Sequence, residues 1–123
     1  SQPVVPYPGN VIMQGGTKSV EQLIAESDNA ILVTRFWYIR SVDPKTMLFT
    51  GLTRDGVFEV KDGKITRPVK NFRFNESPMN IFKNIIELGL AEKSVGSETG
   101  DYPIVVPAIK AANFNFSSLS DAI

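Results

Sequence analysis

The sequence contains no histidine and no cysteine. Without imidazole it has no side chain that ordinarily titrates near neutrality, and without thiols it has no disulfide, no thiolate nucleophile and no sulfur ligand for zinc. Any histidine- or cysteine-dependent chemistry served by this chain must be completed by groups outside it. Net charge is lacking as well. Thirteen Lys and Arg balance thirteen Asp and Glu, so no long-range field recruits polyanions, and neither nucleic acid nor a membrane surface is an expected partner. No apolar run approaches the roughly 20 residues that span a bilayer, and the opening Ser-Gln-Pro-Val-Val-Pro lacks the charged-then-apolar order of a signal peptide. A cytoplasmic location fits these absences.

What is present is the composition of one ordinary globular domain: 123 residues, 42% hydrophobic and 21% charged. A chain of this length buries roughly two-thirds of its unfolded surface, enough for a core without staples. Residues 1–9 carry Pro3, Pro6 and Pro8. They read as a linker arriving from an upstream domain, because proline keeps the backbone extended and cannot join a sheet centre. Residues 10–123 read as the single domain, and the start at Ser rather than Met reads as a cut from something longer.

Along that domain, residues 10–14 read as a short strand. Ser19-Val20-Glu21-Gln22 is a capping box that opens a helix over about residues 20–26. Residues 30–39 are almost continuously apolar, β-branched and aromatic, which predicts the central strand, covered on both faces. Asp43-Pro44-Lys45-Thr46 supplies a turn, residues 47–53 return, Arg54-Asp55-Gly56 supplies a second turn and residues 57–61 follow. Asp62-Gly63 is a tight-turn signal leading into residues 64–67. Pro68 permits only an edge position or a break before the extended residues 69–74. Ser77-Pro78 should start a second helix, with Ile81, Phe82, Ile85 and Ile86 as its apolar stripe and Gly89 as its stop. Residues 91–102 read as a loop, and 103–107 with 109–116 as a last extended pair. The order predicts an α+β fold: a mostly antiparallel β-sheet of hairpins and meander with two packed helices.

Candidate chemistry is sparse. Asp55, Glu59 and Asp62 fall around hairpin turns, where carboxylates are ordinarily solvated. Glu98-Thr99-Gly100-Asp101 has the composition of a Ca²⁺ loop without its spacing, and Gly15-Gly16-Thr17-Lys18 lacks the upstream glycine of a phosphate-binding loop. No metal site and no catalytic residue is expected in this chain. Lys61, Lys64, Arg67, Lys70 and Arg73, interleaved with Phe72 and Phe74, have the composition of a single-strand nucleic-acid surface. They straddle a hairpin and a proline, so a solvated edge is the better reading. More informative is Thr34-Arg35-Phe36-Trp37-Tyr38-Ile39-Arg40, where Arg35 interrupts an apolar strand. That guanidinium either makes a structural ion pair or lies at a wall where a ligand or partner enters. Trp and Tyr beside Arg are the residue types that dominate binding hot spots.

These residues also carry a family resemblance. The run ILVTRFWYIRSV over residues 31–42, then Asp43-Pro44, LFTGLTRDGVFEVKDGKITRPV, NIFKNIIELG and the closing VVPAIKAANFNFSSLSDAI resemble, in this order, the C-terminal part of the TldD/PmbA proteins over about residues 10–123. The resemblance implies zinc-dependent metallopeptidases that work as paired subunits, degrade unfolded peptides, mature certain peptide antibiotics and were once described as modulators of DNA gyrase. In the zinc-bearing subunit an upstream His-Glu-x-x-x-His helix holds the metal and the general base, and a later Cys adds a ligand. The loop that would carry that Cys, about residues 93–100, reads KSVGSETG here. No catalytic or metal-binding residue carries over, and zinc is expected only in a full-length parent. What carries over is architecture: a non-catalytic C-terminal sheet walling the peptide cleft and the subunit contacts, with Arg35, Trp37, Tyr38 and Arg54 on that wall. The implied partners are the upstream domain of the same protein, a second copy or a sister subunit, and unfolded peptide. The rival reading is a pure interaction module of a metal-free partner subunit. A contact with DNA or gyrase would instead predict salt-sensitive DNA binding.

Overall fold

The computed structural model describes residues 3–6, 9–94, 100 and 102–121. Ten elements follow in chain order: β1 (Val11–Ile12), α1 (Val20–Ala25), β2 (Asn29–Asp43), β3 (Leu48–Lys61), β4 (Lys64–Pro68), β5 (Phe72–Glu76), α2 (Pro78–Lys83), β6 (Ile85–Lys93), β7 (Ile104–Ala111) and β8 (Phe116–Leu119). The strands form two sheets, one of three strands in the order β1-β7-β6 and one of five in the order β2-β3-β5-β8, with β4 paired to β3. Every pairing between these strands is antiparallel except β1 with β7. The fold is α+β and strand-dominated, as expected. Residues 3–6 are exposed and carry no regular secondary structure.

Several elements form for the local reasons that their residues supply. The Ser19 hydroxyl accepts from the Gln22 amide at 3.1 Å while the Gln22 side chain accepts from the Ser19 amide at 2.8 Å, which completes the capping box of α1. Asp62 and Gly63 both take positive φ, 49° and 78°, between the paired residues Lys61 and Lys64. That double left-handed conformation matches the twist of a two-residue hairpin, and Asp-Gly reaches it cheaply. At the β2–β3 turn, Asp43 accepts from the Lys45 amide and from the Thr46 hydroxyl, both at 3.0 Å. Pro68 ends β4, which among the described residues pairs only with β3. Gly15 and Gly16 are a close approach: a Cβ on Gly16 would collide with the carbonyl oxygen of Leu88. Their backbone serves the sheet, with the Gly16 amide donating to Gly89 O at 2.8 Å.

Three expectations are corrected. Residues 30–39 do not form the central strand: β2 is the edge of the five-stranded sheet, and β3 is its neighbour on the inside. The apolar run is partly uncovered, with Phe36, Tyr38, Ile39 and Val42 all exposed. Arg54-Asp55-Gly56 is not a turn. β3 runs through it, and two β3 residues, Asp55 (φ 63°) and Gly56 (φ 120°), stand against one on β2. Turn-prone residues are equally what a β-bulge needs, and unbroken pairing with β2 on either side selects the bulge. Finally, the second helix ends at Lys83 rather than near Gly89. Asn84 caps it, its side-chain amide donating to Asn80 O at 2.9 Å, and Ile85 pairs with Ala111 in β6. Isoleucines spaced at 81, 85 and 86 fit a helix stripe, but the β-branched pair joins β7 instead. The Ser77 hydroxyl makes no capping bond. β6 also takes residues 91–93 from the expected loop; the expected last pair, 103–107 and 109–116, is instead the single strand β7, and β8 begins only at Phe116.

The core is small. Among the described residues only Leu23, Val57, Val60 and Phe74 are buried hydrophobics. Thr53 is completely buried in mid-β3, accepting from the Phe72 amide at 2.9 Å and donating to Asn71 at 3.0 Å, so its hydroxyl is satisfied where β5 begins.

Candidate functional site

Alternation along the strands divides the five-stranded sheet into two unlike faces. On one, Phe36, Phe74 and Phe114 meet with ring centroids 5.0–5.6 Å apart, and Phe116 joins Phe72 and Phe114 at 4.8 Å. The opposite face carries arginine. Cross-strand rows place Arg40 beside Thr50, then Trp37 beside Leu52 and Arg73, then Arg35 beside Arg54. Four of the chain's five arginines therefore share this face.

Two bulges shape it. The Asp55-Gly56 bulge brings the Asp55 carboxylate to Arg35, Nη1 to Oδ2 at 2.7 Å, and within 3.7 Å of Arg54 Nε. Thr34 pins that bulge by donating to Gly56 O at 2.8 Å. A second bulge adds a residue on β2 between Trp37 and Arg40, where Tyr38 adopts φ 52°. A positive φ on an aromatic residue is a strained conformation of order 1–3 kcal/mol, of the kind held at binding sites. The extra residue turns the Tyr38 ring to the arginine face, edge-on to Trp37 with centroids 5.4 Å apart.

Arg35 and Arg54 are direct cross-strand neighbours, an arrangement in which like charges repel. Asp55 and Trp37 offset that repulsion: the two guanidinium carbons lie 4.5 and 4.8 Å from the centroid of the Trp37 ring. Such contacts contribute ~0.5–2 kcal/mol each. The indole Nε1–H of Trp37 is buried and has no acceptor among the described residues, an arrangement that costs ~1–3 kcal/mol. Next to this group a shallow cleft of about 300 Å³ is lined by Tyr38, Arg40, Thr50, Leu52 and Arg73.

The structure thus brings the expected Arg35, Trp37, Tyr38 and Arg54 into one cluster, and Arg35 forms an ion pair as one of its two readings required. Sequence reasoning missed Arg40, Thr50, Leu52 and Arg73. The two-residue spacing of Thr50, Leu52 and Arg54 was a usable signal; the pairing of Leu52 with Arg73 was not visible. The basic segment does divide: Arg67 pairs with Glu59 at 3.1 Å on the β3–β4 hairpin, while Arg73 points into the cleft. The hydrogen bonds from Arg67 and then Thr66 hold the Glu59 carboxyl below its ordinary value, and the same contact raises Arg67.

Zinc does not fit the residues of this chain. Imidazole and thiolate ligands are absent from the sequence, and among the described residues no three carboxylates converge. Residues 95–99 and 101, which include most of the loop compared with the family's cysteine and of the Ca²⁺ candidate, lie outside the described residues. Among the described residues no helix is long and apolar enough to cross a membrane.

Fold and faces together define a sheet domain that presents an arginine–aromatic face and an open edge strand. The chain belongs to the family described as the PmbA/TldA metallopeptidase C-terminal domain, whose pattern it matches over residues 1–118. Among solved structures it is similar to TldE from Thermococcus kodakarensis, with a TM-score of 0.70 and 21% identity over 86% of this chain. It spans 23% of that structure's chain. No curated protein matches it.

Proposed function

We propose that this chain is a non-catalytic domain of a PmbA/TldA-type metallopeptidase, forming a wall of the peptide cleft and making subunit contacts. The observation that carries the reading is β2, a 15-residue strand at a sheet edge whose outer backbone has no strand partner among the described residues. Such an edge pairs readily with an extended chain, and natural proteins normally cover or blunt it. Catalysis is assigned elsewhere: in this reading zinc belongs to the full-length parent, whose remaining parts hold it and supply its activated water. This chain orients the peptide and excludes water from one side. Arg35, Trp37, Tyr38 and Arg54 are the wall residues, beside the open edge.

Two measurements test this. Incubating the chain with zinc and unfolded peptides should give no cleavage; chelator-sensitive proteolysis would overturn the non-catalytic assignment. Amide exchange along residues 29–43 should slow when unfolded peptide or the partner subunit is added. Unchanged exchange there with both additions would remove β2 from the cleft and the interface.

A further inference from the structure

We infer that the cleft between Arg40 and Arg73, with the Arg35–Arg54 pair beside it, binds the carboxylates of an acidic peptide segment in extended conformation. The inference rests on the peptide-wall reading and names the class of peptide that the wall selects.

Charge is the first ground. The chain is neutral overall, so four arginines on one face are a product of register rather than of composition. Asp55 lies within ion-pair distance of Arg35 and Arg54 and serves both. Arg40 and Arg73 have no carboxylate in range among the described residues, whereas Lys18 has two and Arg67 and Lys70 have one each. Both line the cleft, over an apolar floor at Leu52. A guanidinium fork matches a carboxylate with two parallel hydrogen bonds, and a concave site partly shields such a pair from water.

Spacing is the second ground. The rows holding Arg40, Arg73 and the Arg35–Arg54 pair follow one another at two-residue steps along β3, at Thr50, Leu52 and Arg54. Same-face side chains of an extended peptide repeat over the same distance, about 6.6 Å. A segment with Asp or Glu at alternate positions therefore presents one carboxylate to Arg40 and the next to Arg73. A nucleic-acid strand fits less well, because base stacking needs a free aromatic face. The Trp37 ring already carries two guanidiniums, and Arg40 lies 5.8 Å from the centroid of Tyr38.

Trp37 is the sole tryptophan, so its fluorescence reports on the face directly. The protein is titrated with three peptides of equal length, built from Glu-Thr, Gln-Thr and Lys-Thr repeats, and with a single-stranded oligonucleotide. The Glu-Thr peptide should bind, shift the Trp37 emission and weaken as salt rises. Arg40→Gln with Arg73→Gln should reduce its affinity about tenfold. Lys61→Gln with Lys64→Gln, on the β3–β4 hairpin, should leave it unchanged. Equal binding of the Glu-Thr and Gln-Thr peptides would overturn the acidic preference and leave the peptide wall standing. Binding of no peptide at all would remove both. Preference for the oligonucleotide or for the Lys-Thr peptide would overturn the inference, and because these comparisons use the unaltered protein they do not depend on the variants folding.

Discussion

The two faces of the five-stranded sheet come from the same strands and end differently. On the phenylalanine face the chain supplies its own cover: β8 and the segment before it bring Phe114 and Phe116 onto Phe36, Phe74 and Phe72. Glu76, 5% exposed, closes that face by accepting from the Ser77 amide, the Asn80 side chain and the Asn115 amide at 2.9–3.0 Å. On the arginine face a charged cluster is left half-open, with a strained Tyr38 and an indole donor that lacks an acceptor among the described residues. The difference separates what stabilises the domain from what the domain offers. Removing a side chain from the first face should unfold it; removing one from the second should not.

Phe74→Ala gives the largest expected effect. Phe74 touches Phe36 and Phe114 and packs so closely over Gly51 that a Cβ there would lie 2.7 Å from its ring. Truncation should cost ~3–5 kcal/mol, read as a shift of the urea midpoint. A loss under ~1 kcal/mol would mean that the phenylalanine face is not the structural one. Glu76→Gln follows, because the amide nitrogen that replaces one carboxylate oxygen cannot accept, which leaves either the Asn115 amide or the Ser77 amide and Asn80 side chain without their acceptor. A destabilisation of ~1–3 kcal/mol is expected.

On the other face, Arg40→Gln and Arg73→Gln should each move stability by no more than ~0.5 kcal/mol, since neither side chain has an ion-pair partner among the described residues. A large loss from either would make the arginine face structural and dissolve the contrast. The smallest effect lies away from both faces, at Glu59. Its folded-state pKa is lowered by the Arg67 and Thr66 hydrogen bonds. A lowered carboxylate adds stability that is present above its unfolded value of 4.5 and is lost as pH falls through the folded value. Thermal midpoints of the parent and of Glu59→Gln should differ at about pH 6 and converge towards about pH 3. A gap that stays constant would remove the pair from the acid response.

Absence of histidine and cysteine, the capping box of α1, the Asp62-Gly63 hairpin, the Asp43 turn and the edge position forced by Pro68 all follow from the sequence by itself. Each rests on residues a few positions apart, whose bonds form whatever the rest of the chain does. Tertiary structure decided the remainder. Arg54-Asp55-Gly56 became a bulge because β2 pairs with β3 on both sides of it, and Ile85-Ile86 left the helix because β7 offered them a strand. The sheet order put the most apolar run at an edge, where its composition alone pointed to the centre. Arg40 and Arg73 lie 33 positions apart and share a cleft only because β5 pairs with β3, opposite β2. Strand register is a long-range choice, and it determined where the charge of this neutral chain is concentrated.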